Sequence, residues 1–321
     1  MKIVLTGAAG FIGSHLAERL VGDGHEVLGL DNFDEFYSPA TKRANLEALG
    51  DSSTFSLREI DIRDRESVTA ALNGAETVIH LAARAGVRPS FESPSAYSDI
   101  NVFGTAVLLE AMRELSIPRF IFASSSSVYG DGAEPPFSED ALLGLPESPY
   151  AGTKACGEML CRNFATYASQ MIALRFFTVY GPRQRPDMAV HKFARLMIED
   201  KPLPIFGPPK EALRDLTYID DVIDGITACL DLDTNWSVIN LGSGRQVTLA
   251  DIVSELEAAL GISALKESLP RQPGDVRQTH ADITRAKELL GYEPKYEFAA
   301  GVRRFADWFL NQQARPAQPR L

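Results

Sequence analysis

Short apolar runs at 3–6, 26–31, 55–60, 77–82, 119–124 and 171–176 alternate with segments of helical periodicity at 11–22, 65–72, 96–114 and 150–169. Parallel strands need long crossovers, and helices are the usual crossover, so this order predicts a parallel sheet covered on both faces. Such sheets bind ligands at the carboxyl ends of their strands. Residues suited to that role follow the runs: a glycine-rich turn after the first, and Asp31 and Asn32 at the second. Asp61 and Ile62 follow the third, His80-Leu81-Ala82-Ala83 the fourth, and Ser124-Ser125-Ser126-Ser127 the fifth.

The turn reads Gly7-Ala-Ala-Gly10-Phe11-Ile12-Gly13 and opens the first helix. Glycines at this spacing let a backbone turn tightly, admit a pyrophosphate to main-chain N–H groups and bring helix close to strand. The helix N-terminus adds partial positive charge. Asp31 lies about twenty residues on, where a ribose 2′-hydroxyl needs an acceptor, and an acid there repels a 2′-phosphate. The pattern favours NAD over NADP; the plainer reading of Asp31 is a loop cap. The expected fold class is α/β, a Rossmann-type doubly wound parallel sheet.

After Thr178-Val-Tyr-Gly-Pro182 the elements shorten, and Pro202, Pro204, Gly207, Pro208 and Pro209 punctuate the chain. This predicts an NAD-binding domain over 1–176, a smaller mixed α/β substrate domain over 177–313 with segments packing back on the first, and a disordered tail at 314–321. Helices at 188–200, 219–231, 248–260 and 282–290 and a strand at 238–241 are expected. A net charge of −11 over 321 residues argues against nucleic acid or an anionic membrane as partner. Anionic ligands must then meet locally placed arginine or lysine. Cys156, Cys161 and Cys229 have neither zinc-site nor disulfide-framework spacing. No signal-peptide pattern precedes the first strand and no apolar run reaches membrane-spanning length, so a cytoplasmic location is expected.

Tyr150-Ala-Gly-Thr-Lys154 opens a helix after Ser148-Pro149. Positions i and i+4 share a helical face, so phenol and ammonium can converge, and a nearby cation favours phenolate and makes the tyrosine a base. A surface ion-dipole pair is the plain alternative. His80 and His15 lack further ligands at metal-site spacing and read as structural. Cys156 and Cys161 fall on different helical faces and receive no role.

Together these motifs resemble the extended short-chain dehydrogenase/reductases, in particular the nucleotide-sugar 4-epimerases. The resemblance runs through Thr6-Gly-Ala-Ala-Gly-Phe-Ile-Gly-Ser-His15, His80-Leu-Ala-Ala83, Ser124-Ser-Ser-Ser-Val-Tyr-Gly130, Ser148-Pro-Tyr-Ala-Gly-Thr-Lys154, Arg175-Phe-Phe-Thr-Val-Tyr-Gly-Pro182 and Arg214-Asp-Leu-Thr-Tyr-Ile-Asp-Asp221. It implies that Ser125, Tyr150 and Lys154 are catalytic. The implied NAD contacts are Gly7, Gly10, Phe11, Ile12, Gly13, Asp31, Asn32, Arg43, Asp61, Ile62, Leu81, Ala82, Ala83, Ser124, Tyr150 and Lys154.

Dehydratases of the family carry Thr-Asp-Glu where this chain has Ser125, Ser126 and Ser127, and decarboxylases carry a glutamate in the same stretch. Hydroxyls titrate poorly, which leaves epimerisation. The segment from Arg175 to Met188 resembles that of UDP-glucuronate 4-epimerases. The resemblance thus implies a UDP-sugar substrate met by Arg88, Ser125, Ser126, Ser127, Thr178, Arg185, Arg214, Arg271 and Asp275, with the hydroxyls suited to a C6 carboxylate. UDP-glucose 4-epimerase, decarboxylase, 4-ketoreductase and a non-catalytic NAD sensor are the alternatives. Relatives often form homodimers through a four-helix bundle, and apolar faces on 96–114 and 150–169 are compatible with one.

Overall fold

Alternate residues of the first strand point to opposite faces of one sheet, Ile3 and Leu5 into one buried cluster and Val4 into the other. The computed structural model describes residues 1–130, 133–270 and 278–314. Its first half runs β1 (Lys2–Thr6), α1 (Phe11–Gly22), β2 (Glu26–Asp31), α2 (Pro39–Asn45), β3 (Phe55–Glu59), α3 (Arg65–Leu72), β4 (Thr77–His80), α4 (Val87–Glu92), α5 (Pro94–Tyr97), α6 (Gly104–Glu114), β5 (Arg119–Ser125), α7 (Pro149–Phe164) and β6 (Gln170–Phe176). The second half runs β7 (Thr178–Tyr180), α8 (Ala189–Ile198), β8 (Leu203–Phe206), β9 (Leu213–Tyr218), α9 (Ile219–Ala228), β10 (Trp236–Leu241), β11 (Gln246–Thr248), α10 (Leu249–Leu260), β12 (Lys266–Leu269), α11 (Thr284–Leu290) and α12 (Phe298–Ala314).

Seven strands form the central sheet in the order 3-2-1-4-5-6-10, all parallel. The order reverses between β1 and β4, which opens a crevice at the carboxyl ends of the strands. Both faces are covered, α1 packing Leu16 and Leu20 on one side and α3 and α6 packing Val68, Val107 and Leu108 on the other. The doubly wound architecture is therefore as expected. From the second half of the chain, β10 pairs with β6 and completes the sheet. A three-stranded sheet (β11-β9-β7) and a two-stranded one (β12-β8) make up the mixed remainder.

Several expected elements differ. The strand expected over 77–82 ends at His80, and the helix expected over 150–169 ends at Phe164. The helix expected over 96–114 is interrupted by a π-helical turn, Ser98–Phe103. Neither α2, α4, β7, β8, β9, β11, β12 nor α12 was anticipated from the sequence. The strands among these are three to six residues long. Helix α12 does carry a readable face, since Val302, Phe305 and Phe309 recur at helical spacing and are buried. Of the 314–321 tail, Ala314 closes α12, and 315–321 lie outside the described residues.

Candidate active site

The glycine turn follows directly from backbone sterics. Gly7 has φ +70°, and a Cβ there would stand 2.8 Å from the Ala82 amide nitrogen. At Gly13 a Cβ would lie 2.0 Å from the Gly7 carbonyl oxygen, so only glycine lets α1 start this close to β1. No side chain caps the N-terminus of α1, and its first turn holds no acidic residue. Its N–H groups face a cavity of about 460 Å³ at the sheet's switch point, lined by both halves of the chain.

On the far side of the turn, Asp31 ends β2, accepting from the N–H groups of Phe33 at 2.8 Å and Ala9 at 3.1 Å. Burial raises its pKa, while these bonds and the Lys42 charge pull it back. Asn32 donates to Asp61 at 3.0 Å, and Arg63 holds the Asp61 carboxyl down to about 2. Gly7, Gly10, Phe11, Ile12, Gly13, Asp31, Asn32, Asp61, Ile62, Leu81, Ala82, Ala83, Ser124, Tyr150 and Lys154 all line the cavity. Arg43 is not among them: its guanidinium covers the Phe33 ring at 3.9 Å and pairs with Glu59 at 3.0 Å. Successive residues of a helix diverge by about 100°, so on α2 it is the neighbouring Lys42 that faces the cavity. An uncapped helix N-terminus, a backbone stripped of Cβ atoms and a carboxylate at the end of β2 fit a dinucleotide such as NAD.

The chemistry sits across the cavity. Ser148 caps α7 by accepting from the Ala151 N–H at 3.1 Å, and Pro149 begins the helix. Tyr150 and Lys154 then face the cavity together. Burial raises the Tyr150 pKa, and a hydrogen bond with Ser125 and the Arg185 charge oppose it. The lysine does not act through a direct bond to the phenol. Its Nζ donates to the Ala123 carbonyl at 2.7 Å, because the long side chain reaches the end of β5, and burial lowers its pKa to about 8.

Ser125 also accepts from the Ser127 hydroxyl at 3.0 Å, and Ser126 lines the cavity while Ser127 stands behind Ser125. Tyr97 meets the Tyr150 ring edge-on at 6.3 Å and donates to the Ala85 carbonyl at 2.8 Å. Asn101, from the π-helical turn, donates to the Arg84 carbonyl at 2.9 Å and Thr153 Oγ1 at 3.0 Å, tying the loop after β4 to α7.

On the remaining wall stand Thr178 and Arg185. Asp187 accepts from Arg185 Nε at 2.9 Å and Nη2 at 2.8 Å, which fixes the guanidinium plane. The Arg84 and Arg185 guanidinium groups lie over the Phe36 ring, at 5.6 Å and 5.8 Å from its centroid. Arg88 covers the Phe206 ring at 4.8 Å and Arg214 donates to the Leu213 carbonyl at 2.8 Å, both outside the cavity lining. Arg271 and Asp275 lie outside the described residues. Phe36, Tyr37 and Lys42, in the 34–45 loop, Asp187, in the 175–188 segment, and Asn101 were not named from the sequence as site residues. His80 is bonded to Thr6 at 2.8 Å and to Thr105 at 3.0 Å, and His15 bonds the Pro182 carbonyl at 3.0 Å.

The family described as GDP-mannose 4,6 dehydratase matches residues 4–305. The chain belongs to this family. The chain is 40% identical to the UDP-glucuronate 4-epimerase of Thermodesulfobacterium geofontis over 95% of each protein. Among solved structures, UDP-glucuronic acid 4-epimerase from Bacillus cereus, in complex with UDP-glucuronic acid and NAD, superposes with a TM-score of 0.91 at 41% identity. That match covers 97% of this chain and 100% of the other. The Thermotoga maritima UDP-glucose 4-epimerase gives 0.89 at 33% identity, covering 98% and 100%. At the end of β5 this chain offers the hydroxyls of Ser125, Ser126 and Ser127 and no carboxylate.

Proposed function

We propose that the chain is an isomerase that converts UDP-glucuronate to UDP-galacturonate by NAD-dependent epimerisation at C4, through a 4-keto intermediate. One observation carries the reading: Tyr150, Lys154, Ser125 and Thr178 converge on the cavity whose other wall is the glycine turn and Asp31. The glycine turn, Asp31, Asn32, Asp61, Ile62 and residues 81–83 hold the cofactor. NAD, when bound, supplies the redox chemistry, taking the C4 hydride and returning it to the opposite face of the sugar. Tyr150 removes the C4 hydroxyl proton and later returns it. Ser125 hydrogen-bonds the reacting hydroxyl, and the positive charges of Lys154 and Arg185 stabilise the phenolate.

The hydroxyls of Ser125, Ser126 and Thr178 suit a C6 carboxylate, and Arg185, oriented by Asp187, meets the anionic substrate. Arg214, Arg271 and Asp275 take the UDP moiety. The 4-keto form of a glucuronate is a β-keto acid; holding its carboxylate in the plane of poor overlap with the ketone restrains loss of carbon dioxide. Elimination of water needs a further acid and base, which the serine stretch lacks.

Incubation with UDP-glucuronate and, separately, UDP-glucose, followed by NMR of the sugars, tests this reading. UDP-galacturonate is the expected product. Turnover of UDP-glucose alone overturns the substrate, and accumulation of a UDP-pentose overturns the reaction. The same reading places the enzyme in the cytoplasm as a homodimer. Exposed Phe103, Met159 and Tyr167, on the turn before α6, on α7 and just after it, suit a helical interface. Sedimentation of wild type and Met159→Asp distinguishes dimer from monomer. Among the described residues no helix is long and apolar enough to cross a membrane.

A further inference from the structure

Behind the candidate active site lies a buried ion pair that the mechanism above leaves without a task. Glu158 stands on α7 one turn beyond Lys154, its side chain only 8% exposed. Its Oε1 accepts from the Ser124 hydroxyl and from Arg175 Nε at 2.9 Å, and its Oε2 accepts from Arg175 Nη2 at 2.8 Å. Ser124 and Arg175 are register partners on β5 and β6, so one carboxylate bridges the carboxyl ends of both strands. Ser124 itself lines the cavity and precedes Ser125. The helix lies close at this point, since a Cβ on Gly157 would meet the Phe122 ring at 2.4 Å, and the Lys154 ammonium covers the same ring at 5.1 Å.

The groups around Lys154 set its charge. On its own helix these are Tyr150, Glu158 and Cys161, with His80 from β4; Tyr97 of α5 meets Tyr150, and Arg175 of β6 pairs with Glu158. Burial keeps the Tyr150 and Tyr97 phenols and the Cys161 thiol protonated, and lowers His80 to about 3, so it is neutral near pH 7. Among the described residues that act on Lys154, Glu158 is the one carboxylate, and its ion pair with Arg175 at 2.8 Å marks it as the charged partner. A buried lysine without an opposite charge gives up its proton readily, whereas an arginine does not.

We propose that Glu158 is a positioning residue of the active site: it pins the end of β5 through Ser124 and Arg175 and, as the buried anion one turn along α7, keeps Lys154 charged. The inference rests on the reading of Tyr150 and Lys154 as the reacting pair. Removing Glu158 alone strands the buried Arg175 charge and threatens folding. The test therefore pairs Glu158→Gln with the double variant Glu158→Gln/Arg175→Met, which removes both charges.

In the full-length protein carrying lysine labelled with carbon-13 at Cε, the Lys154 resonance, assigned with Lys154→Arg, is followed through a pH titration. Both variants are expected to titrate Lys154 at least about one pH unit lower than wild type. With UDP-glucuronate, kcat is expected to fall about fivefold or more at pH 8 while KM stays within about threefold, and the alkaline limb of kcat to move to lower pH. A double variant that folds with wild-type Lys154 titration and wild-type kcat reduces Glu158 to a structural partner of Arg175 and overturns the proposal. Absence of UDP-glucuronate turnover in wild type would overturn the substrate reading instead, and the Lys154 titration would still decide this one.

Discussion

At Tyr150 two effects oppose each other: burial favours the neutral phenol, and the Ser125 hydrogen bond with the Arg185 charge favours the phenolate. The tyrosine is thus held protonated in a place where added positive charge shifts it toward a base. Replacing Tyr150 with Phe removes the proton acceptor and little else, because its ring still meets Tyr97. Interconversion of the UDP-hexuronates should fall ~10²–10⁴-fold by product NMR while calorimetry still detects UDP-glucuronate binding. The tyrosine and lysine were legible because a four-residue spacing on a helix is local information. Asn101 and Glu158 were not, since their partners come from distant segments: Thr153 for the first, Ser124 and Arg175 for the second.

Among the elements, α1 and α12 show how the site is mounted. Helix α1 is fixed by its glycine turn and packs Leu16 and Leu20 into the same buried cluster that takes Val302, Phe305 and Phe309 from α12. Phe305 is fully buried and stacks on Phe309 at 5.7 Å between centroids. Phe305→Ala should cost ~3–5 kcal/mol, read from urea denaturation, through lost burial and the cavity left behind. The helix spacing of that apolar face is present in the sequence. The expected tail began just beyond it, and the helix itself went unassigned. The interrupted 96–114 helix is a different case: a π-helical turn leaves no period of its own, and its use is seen only where Asn101 reaches Arg84 and Thr153.

Across the whole molecule, three histidines are held as neutral rings: half-buried His15 and His191, each lowered to about 4, and buried His80, lowered to about 3. Burial is the leading cause in each. Unfolding returns them to an ordinary value near 6.5, so below that pH the unfolded chain binds more protons than the folded one. Their contribution to stability is complete above pH ~6.5 and is lost as pH falls toward the folded values, each costing up to ~1.4 kcal/mol per pH unit. Urea denaturation at pH 7.5 and pH 5 should show a marked loss of stability, and His80→Gln should flatten that slope by one histidine's share.

The amino-acid order alone determined the alternation of strands and helices, the glycine turn with Asp31, and the facing of Tyr150 and Lys154, because periods and short spacings are properties of contiguous residues. Tertiary structure alone decided that β10 completes the sheet. It also decided that Arg185 reaches the cavity while Arg43, Arg88 and Arg214 do not line it, and that a buried Glu158 and Arg175 underlie the serines. Strand order, and the direction a long charged side chain takes, are set by packing against segments far away in the chain, and no spacing within one segment encodes them.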